Sequence, residues 1–420
     1  MTQSSQPRPE TVPDSPPGRA AWLNRSTAGI ALASLFSDIS HELATAVLPA
    51  LVLSLGGGPA ALGWIEGSAD GASTLAKLWG GSAADRVSKR KPLASVGYLV
   101  TAVGVAAIAL CTTWLQVLVC RVAAWIGRGS RSAPRDLLMA GSAAPSALGR
   151  AFGLERAGDA LGAVVGPLIA VALLAAGEEP GRIVLWSVVP GVLAFLAIAL
   201  IVVEKGAPAR VGAKRSFAQG LGATGAPFRR YLAAVALFGC GDFSRSLLIL
   251  YVSQHAVGTL FALSAGVLAI ALYVLHNAVS AVAALPLGAL ADRIGRRPVL
   301  VAGYALAAAT TLAFALLPAS PWPMVLLFVA SGVTIAAQEV AEKALAVELL
   351  SPQVRGVGLG VLAATNGLGD LVSSALVGTL WSLSPAGPAL GFCAAAGLQA
   401  AGALAAGRGG ASLDEPRVSA

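Results

Sequence analysis

Residues 81–93 read GSAADRVSKRKPL, and residues 288–300 read GALADRIGRRPVL. The two stretches align residue for residue: Gly81 with Gly288, Asp85 with Asp292, Arg86 with Arg293, and Lys89-Arg90 with Arg296-Arg297. They stand half a chain apart, each between two long apolar segments. A basic connector that recurs between apolar segments reads as a duplicated, membrane-embedded chain. That narrows the function to moving something across a bilayer.

Composition agrees. The 420 residues are 56% hydrophobic and 12% charged, with mean hydropathy +0.75, where a soluble domain carries about 25% charged residues. The net charge of +8 could suggest nucleic-acid binding, but the basic residues fall in short connectors on one side of the apolar segments, so no nucleic-acid partner is expected. The four cysteines (Cys111, Cys120, Cys240, Cys393) lack metal-ligand spacing and read as small apolar filler. Residues 1–26 are rich in Pro, Ser and Arg without an apolar core, which reads as a disordered tail and not a signal peptide. Residues 408–420 read as a similar tail.

Twelve spans are expected, roughly 28–54, 60–83, 93–112, 114–134, 150–176, 182–203, 230–254, 262–290, 297–317, 322–347, 356–382 and 387–407. Backbone groups cannot go unpaired in lipid, so the spans read as helices. The fold class is therefore an all-α membrane protein of twelve transmembrane helices in two pseudo-symmetric six-helix halves, 27–203 and 229–407, joined by a basic linker, 204–228. The even-numbered connectors hold Arg86, Lys89, Arg90, Arg135, Arg150, Arg293, Arg296 and Arg355, whereas the odd-numbered ones hold Glu178, Glu179 and a single Arg182. The positive-inside rule places both termini in the cytoplasm. A formal GxGxxG at Gly220, Gly222 and Gly225 has no strand before it and reads as chance. No Gly-Lys pair exists anywhere, so there is no Walker A motif, and no cofactor is expected. Energy would come from a gradient.

On these residues the chain resembles the major facilitator superfamily over essentially its whole spanned length. Gly-x-x-x-Asp-Arg between spans 2 and 3, echoed between spans 8 and 9, is that family's most specific pattern. The second copy keeps the usual central glycine (Gly295), and the first has Ser88 there. The resemblance implies that Asp85 and Arg86 help hold an outward-facing state by pairing with neighbouring helix ends, with Asp292 and Arg293 as their weaker counterparts, and Gly81 and Arg90 are expected in the same cytoplasmic gate. Arg128, Arg131, Arg135, Asp136, Glu155, Arg156 and Asp159 lie beside the first copy and are expected in the same cytoplasmic gate. Glu339 and Lys343, four apart with Glu first, and Glu342 are expected in the gate of the second half. Gly158-x-x-x-Gly162-x-x-x-Gly166-Pro167 is similar to the motif of the family's proton-coupled antiporters, which implies export; physically it is a flat stripe for close helix approach with a kink. Arg121 in span 4 is typical of the same branch, and GRGSRSAPRD (127–136) resembles a poorly characterised prokaryotic branch, which implies an inner-membrane protein.

Charges within spans are functional candidates, because each costs at least ~2.5–3.5 kcal/mol there. Asp38 and Glu42 share a face of span 1 beside His41, and Glu66 and Asp70 share a face of span 2 with Lys77 further along. Asp242 and Arg245 lie on span 7, His276 and Asn277 on span 8, and Asn366 and Asp370 on span 11. Six acids (Asp38, Glu42, Glu66, Asp70, Asp242, Asp370) face two bases (Arg121, Arg245), so one or more acids are expected to hold a proton at neutral pH. The alternative is a set of structural ion pairs, Asp70–Lys77, Asp242–Arg245 and Glu42–Arg121. A metal site at Asp38, His41 and Glu42 is disfavoured, because residues at these spacings cannot all point one way on a helix. Walls rich in Ala, Leu and Val suggest tolerance for hydrophobic compounds, and Trp64 and Trp125 are candidate pocket aromatics.

The expected function is a monomeric, proton-coupled exporter of a small organic molecule, in contact with membrane lipids. Import by proton symport, divalent-metal transport and a non-transporting sensor are the alternatives. An enzyme is not expected: no nucleophile–base pair, HExxH or phosphate loop is present.

Overall fold

The computed structural model describes residues 23–143, 147–204, 224–256, 263–351 and 354–408, and of Asp85 and Arg355 only the backbone. Most of both expected tails and of the linker lies outside these residues, and the first tail is shorter than expected, since α1 begins at Arg25. Every regular element among the described residues is helical: α1 Arg25–Ser54, α2 Pro59–Arg86, α3 Lys91–Ile108, α4 Trp114–Ser142, α5 Leu148–Ala175 and α6 Pro180–Ile201, then α7 Gly225–Gly239, α8 Arg245–His255, α9 Ala265–Ile294, α10 Arg296–Leu316, α11 Pro321–Leu349, α12 Arg355–Leu383 and α13 Gly387–Arg408. α7 and α8 together make the expected seventh span, interrupted at residues 240–244.

Nine of these helices are long and apolar enough to cross a membrane. The four that are not are α2, α4, α7 and α8. α2 carries Glu66, Asp70, Lys77, Asp85 and Arg86; α4 carries Arg121, Arg128, Arg131, Arg135 and Asp136. α7 and α8 are too short, at 15 and 11 residues. Charged side chains and irregular backbone at membrane depth are tolerated where they line a cavity, and α2, α4, α8 and the break before α8 all contribute to the one described below.

The helices outrun the expected spans at the face where α1 begins. α2 continues to Arg86 and α9 to Ile294, so Gly81–Arg86 and Gly288–Arg293 are helical turns, not loops. α4 continues through Pro134 to Ser142. The connectors proper shrink to Val87–Arg90 and the single residue Gly295, whose φ of +95° suits glycine. We call this the motif face and the opposite one the far face.

Three apolar cores define the packing. One is shared by α1–α6 and α8–α13 toward the far face, joining Leu43, Leu48 and Ile65 to Leu247, Phe314, Trp381 and Phe392. Toward the motif face two separate cores replace it: Ile30, Tyr98, Leu138 and Ile198 belong to α1–α6, and Phe228, Tyr304, Ala341 and Leu345 to α7–α13. The halves are thus sealed together at the far face and packed independently at the motif face. A seam of glycines runs down one side. Gly63, Gly67 and Gly71 of α2 lie against Ser374 and Leu371 of α12, and a methyl at Gly63 would run into the Ser374 carbonyl. This four-residue glycine spacing was legible in the sequence and is missing from the candidates above.

Candidate functional site

A cavity of about 270 Å³ lies where the shared core gives way to the separate ones. Ligand pockets are usually about 300–1,000 Å³, so it suits a small molecule. Fifteen residues line it and none is aliphatic: the only large apolar surfaces are the rings of Trp125, Phe243 and Tyr273. The aliphatic walls expected to admit hydrophobic compounds therefore face elsewhere. Trp64 is half-exposed and away from the cavity, and Trp125 lines it.

The first-half wall is cross-braced. Arg121, fully buried on α4, reaches Glu66 of α2 at 3.0 Å, donates to Thr45 Oγ1 of α1 at 2.9 Å, and lies 3.6 Å above the Trp125 ring. The Trp125 indole N–H donates to Asp70 Oδ1 at 2.9 Å. Arg128 donates to His41 Nε2 at 2.7 Å and stands 3.6 Å from Asp38. Because a guanidinium can only donate, Nε2 is the acceptor there, and Nδ1 carries the hydrogen toward the Ser37 carbonyl at 3.0 Å. His41 sits 3.4 Å from Asp38 and 3.2 Å from Glu42, so the three do converge, against expectation. One full turn separates Asp38 from Glu42, and the imidazole spans it. No group of side chains that could hold a metal ion occurs among the described residues.

The second-half wall is sparser. α7 ends at Gly239 and α8 begins at Arg245, leaving Asp242, Phe243 and Ser244 on irregular backbone facing the cavity. Arg245 donates to Asp242 Oδ1 at 2.8 Å and to the Phe243 carbonyl at 2.6 Å. Asp370 of α12 also lines the cavity, and its carboxylate accepts no hydrogen bond and joins no ion pair among the described residues.

Two side-chain hydrogen bonds to carboxylates cross between the walls. Tyr273 of α9 donates to Glu42 Oε2 at 2.8 Å, and Ser244 donates to Glu66 Oε2 at 3.3 Å. Every ion pair among the described residues stays within one half. Of the three structural pairs considered from the sequence, only Asp242–Arg245 forms: Asp70 takes the Trp125 indole in place of Lys77, and Glu42 takes the Tyr273 hydroxyl in place of Arg121.

Several other candidates lie elsewhere than expected. Arg128 belongs to the cavity and not to a gate, because it lies two turns above the end of α4's polar run, level with His41. Arg131 is buried within the first half, donating to Ser37 Oγ at 2.6 Å and lying 3.8 Å above the Tyr98 ring. Arg135 pairs with Glu155 at 2.7 Å and Asp136 at 3.0 Å, and Asp159 with Arg156 at 3.6 Å. Arg86, Asp292 and Arg293 are exposed at the motif face. Glu339 and Lys343 are exposed and form no ion pair with each other; Arg296–Glu348, at 3.1 Å, ties that part of the second half together. Glu342 is buried, accepting from the Tyr304 hydroxyl and from Asn366 Nδ2 at 2.8 Å. Asn366 is thereby drawn away from the cavity, and Asn277 is too: it donates to the Ala163 carbonyl at 2.8 Å.

The glycines of α5 press against α1. A methyl at Gly158 would lie 2.7 Å from the Ala31 carbonyl, one at Gly162 2.7 Å from Asp38 Cβ, and one at Gly166 2.9 Å from Glu42 Cβ. The stripe thus fixes the depth of both carboxylates. Gly81 has room to spare, with Ala133 Cβ at 3.9 Å, whereas a methyl at its neighbour Gly80 would strike the Ser130 backbone. Glu204 is not among the residues singled out above. Its carboxylate accepts from the N–H groups of Arg90 and Lys91 at 2.6 and 3.1 Å, capping α3 and fastening the end of α6 to the first motif connector.

This arrangement meets its relatives in sequence comparison. The model of the Major Facilitator Superfamily matches residues 30–275 and 234–408. The chain belongs to that superfamily. An uncharacterized MFS-type transporter of Methanocaldococcus jannaschii is 30% identical over 364 residues, 86% of this chain and 90% of its own. An uncharacterized protein of Mycobacterium tuberculosis is 27% identical over 159 residues, 38% of each chain. Among solved structures, the nucleoside transporter NupG superposes with a TM-score of 0.75 at 14% identity, over 92% of this chain and 99% of its own. A POT family transporter in complex with 5-aminolevulinic acid gives 0.75 at 13%, over 90% and 94%. A bacterial homolog of the lysosomal transporter Spinster, inward-facing and unoccupied, gives 0.64 at 17%, over 93% and 95%. At these identities the likeness shows the fold. The protein is thus a multi-pass membrane transporter of the superfamily, and no enzyme.

Proposed function

We propose that this transporter is a proton-coupled exporter of a small, polar molecule that carries a positive charge. The observation that carries the reading is that three cavity carboxylates are left without a guanidinium when the ion pairs are assigned, and one of them, Glu42, takes the Tyr273 hydroxyl across the cavity. Arg121 answers Glu66, Arg245 answers Asp242, and Arg128 answers Asp38. Asp70 and Asp370 line the cavity from opposite halves with no guanidinium of their own. In a low-dielectric site each must be neutralised, and either a proton or a cationic group of the substrate can do so. Competition between the two is the elementary step of an exchanger.

The packing supports alternating access. With the motif face taken as cytoplasmic on the charge bias of its connectors, the halves are sealed outside and separate inside, as in an inward-facing state. Tyr273–Glu42 and Ser244–Glu66 then join the halves in this state, and Asp85 and Arg86 would pair only when the motif face closes. Each proton moving inward down a 100 mV potential supplies ~2.3 kcal/mol. Export rests on the resemblance of the Gly158–Pro167 stripe to antiporters.

The test is proton movement in proteoliposomes of the full chain, with an internal pH dye and panels of amines, zwitterions and their uncharged analogues. Proton release on adding a cation-bearing compound, absent for its uncharged analogue and abolished by Asp70→Asn, is the expected result. Release by neutral compounds alone would sink the charge assignment, and co-directional proton and substrate flux would make the protein an importer.

A further inference from the structure

We infer that Pro167 strands a carbonyl for Asn277, and that this inter-half hydrogen bond is what holds Tyr273 on Glu42. In an α-helix the carbonyl of residue 163 accepts from the N–H of residue 167. Residue 167 is proline inside α5 and has no N–H. Ala163 is therefore left with an unmatched acceptor in mid-span, where lipid supplies no donor and such a group is costly. Asn277 Nδ2, on α9 of the other half, donates to that oxygen at 2.8 Å.

The same face of α9 carries a second contact one turn earlier. Tyr273 and Asn277 are four apart, so their side chains project together, and the Tyr273 hydroxyl donates to Glu42 Oε2 at 2.8 Å. Glu42 is itself pressed onto α5 at Gly166, the residue before Pro167. Three helices thus meet at one level: α1 supplies the carboxylate, α5 the bare carbonyl, and α9 both donors. A single bond would let α9 swivel about its axis, and two bonds one turn apart fix its rotation and its register. Asn277 is on this account a positioning residue that acts on the cavity through Tyr273. The parts of the Gly158–Pro167 motif then have separate jobs. Its glycines seat α1 within the first half, and its proline presents an acceptor to the second half. The inference holds whatever the cavity carries.

A double-mutant cycle on the full-length protein in detergent, without ligand, tests it. Asn277→Leu keeps most of the side-chain volume and removes the donor. It is expected to lower the thermal midpoint and to raise deuterium uptake of the α9 backbone around residues 273–277 about threefold, the size typical of membrane hydrogen bonds. Pro167→Ala returns an N–H to position 167 and a helical partner to Ala163. In that background Asn277→Leu is expected to change nothing further, and Pro167→Ser serves the same purpose if the alanine variant does not fold. Tyr273→Phe supplies a readout that simple packing would not move: it lowers the midpoint in the native background and has no effect once Asn277→Leu has released the hydroxyl from Glu42. Equal effects of Asn277→Leu with and without Pro167, or of Tyr273→Phe with and without Asn277, overturn the proposal.

Discussion

The two walls of the cavity descend from the same duplicated plan and have been finished differently. The first-half wall is densely cross-braced: Arg121 pairs with Glu66, Arg128 holds His41 and Asp38, and Asp70, which has no guanidinium, takes the Trp125 indole N–H. The second-half wall has one ion pair, Asp242–Arg245, on broken helix, and one bare carboxylate, Asp370. Away from the wall, the second half's buried acid Glu342 is answered by neutral donors, Tyr304 and Asn366. A braced wall keeps its shape when its neighbour moves. A wall with an unmatched charge changes with what binds it. The first half therefore serves as the template of the site and the second half as its responsive face.

Removing the brace gives the largest expected effect. Arg121 is fully buried, and Arg121→Ala leaves Glu66 as an unpaired charge in the interior. Such a break costs about 3–5 kcal/mol, so the folded yield and thermal midpoint in detergent should collapse. Arg245→Ala acts on a partly exposed pair and should lower the midpoint by clearly less. Equal losses would break the contrast between the walls.

Charge removal by isosteric amides sharpens the contrast at intermediate size. Glu66→Gln strands the Arg121 guanidinium and should destabilise the protein by several kcal/mol, on the order of the buried-pair cost. Glu342→Gln leaves Tyr304 and Asn366 an amide oxygen to donate to and should cost about 1 kcal/mol. Asp370→Asn replaces a carboxyl that no neighbouring side chain braces and should leave the midpoint nearly unchanged while abolishing proton-coupled exchange. Thermal midpoints of the three variants, measured side by side, give the order. A midpoint for Asp370→Asn as low as that for Glu66→Gln would show that Asp370 has a structural partner.

Much of this was legible in the sequence, for definite reasons. A duplicated motif and repeated apolar runs fix a twelve-span helical plan, because lipid leaves the backbone few options. The charges near mid-span include the five carboxylates and two of the three arginines that line the cavity. Helix periodicity, however, reports which residues share a face of one helix and not which faces of different helices meet. That is why Arg128 read as a gate residue, why Glu42 was paired with Arg121 and not with Tyr273, and why Asn277 read as a cavity residue. Motif boundaries failed for another reason. Charged residues at a helix end read as loop, yet Gly81–Arg86 and Gly288–Arg293 complete turns that project beyond the apolar stretch. Glu204 gave no signal at all, since its partners are backbone N–H groups of a distant helix.

The smallest expected effect tests whether the two motif copies have diverged as the walls have. In the second copy α9 hands over to α10 through Gly295 alone, at φ +95°. A side chain is strained in that backbone conformation, so Gly295→Ala should cost about 1–3 kcal/mol and lower the thermal midpoint by a few degrees. In the first copy the equivalent residue, Ser88, lies within a four-residue connector, Val87–Arg90, whose far end is held by Glu204. The longer connector spreads the turn over several residues, and Ser88→Ala should stay within about 0.5 kcal/mol of the native protein. Glu204→Gln should then weaken the first connector and leave the second untouched. A silent Gly295→Ala would mean that α9 and α10 can re-form the corner without glycine. The central glycine of the motif would then be free to vary in both copies, as it has in the first.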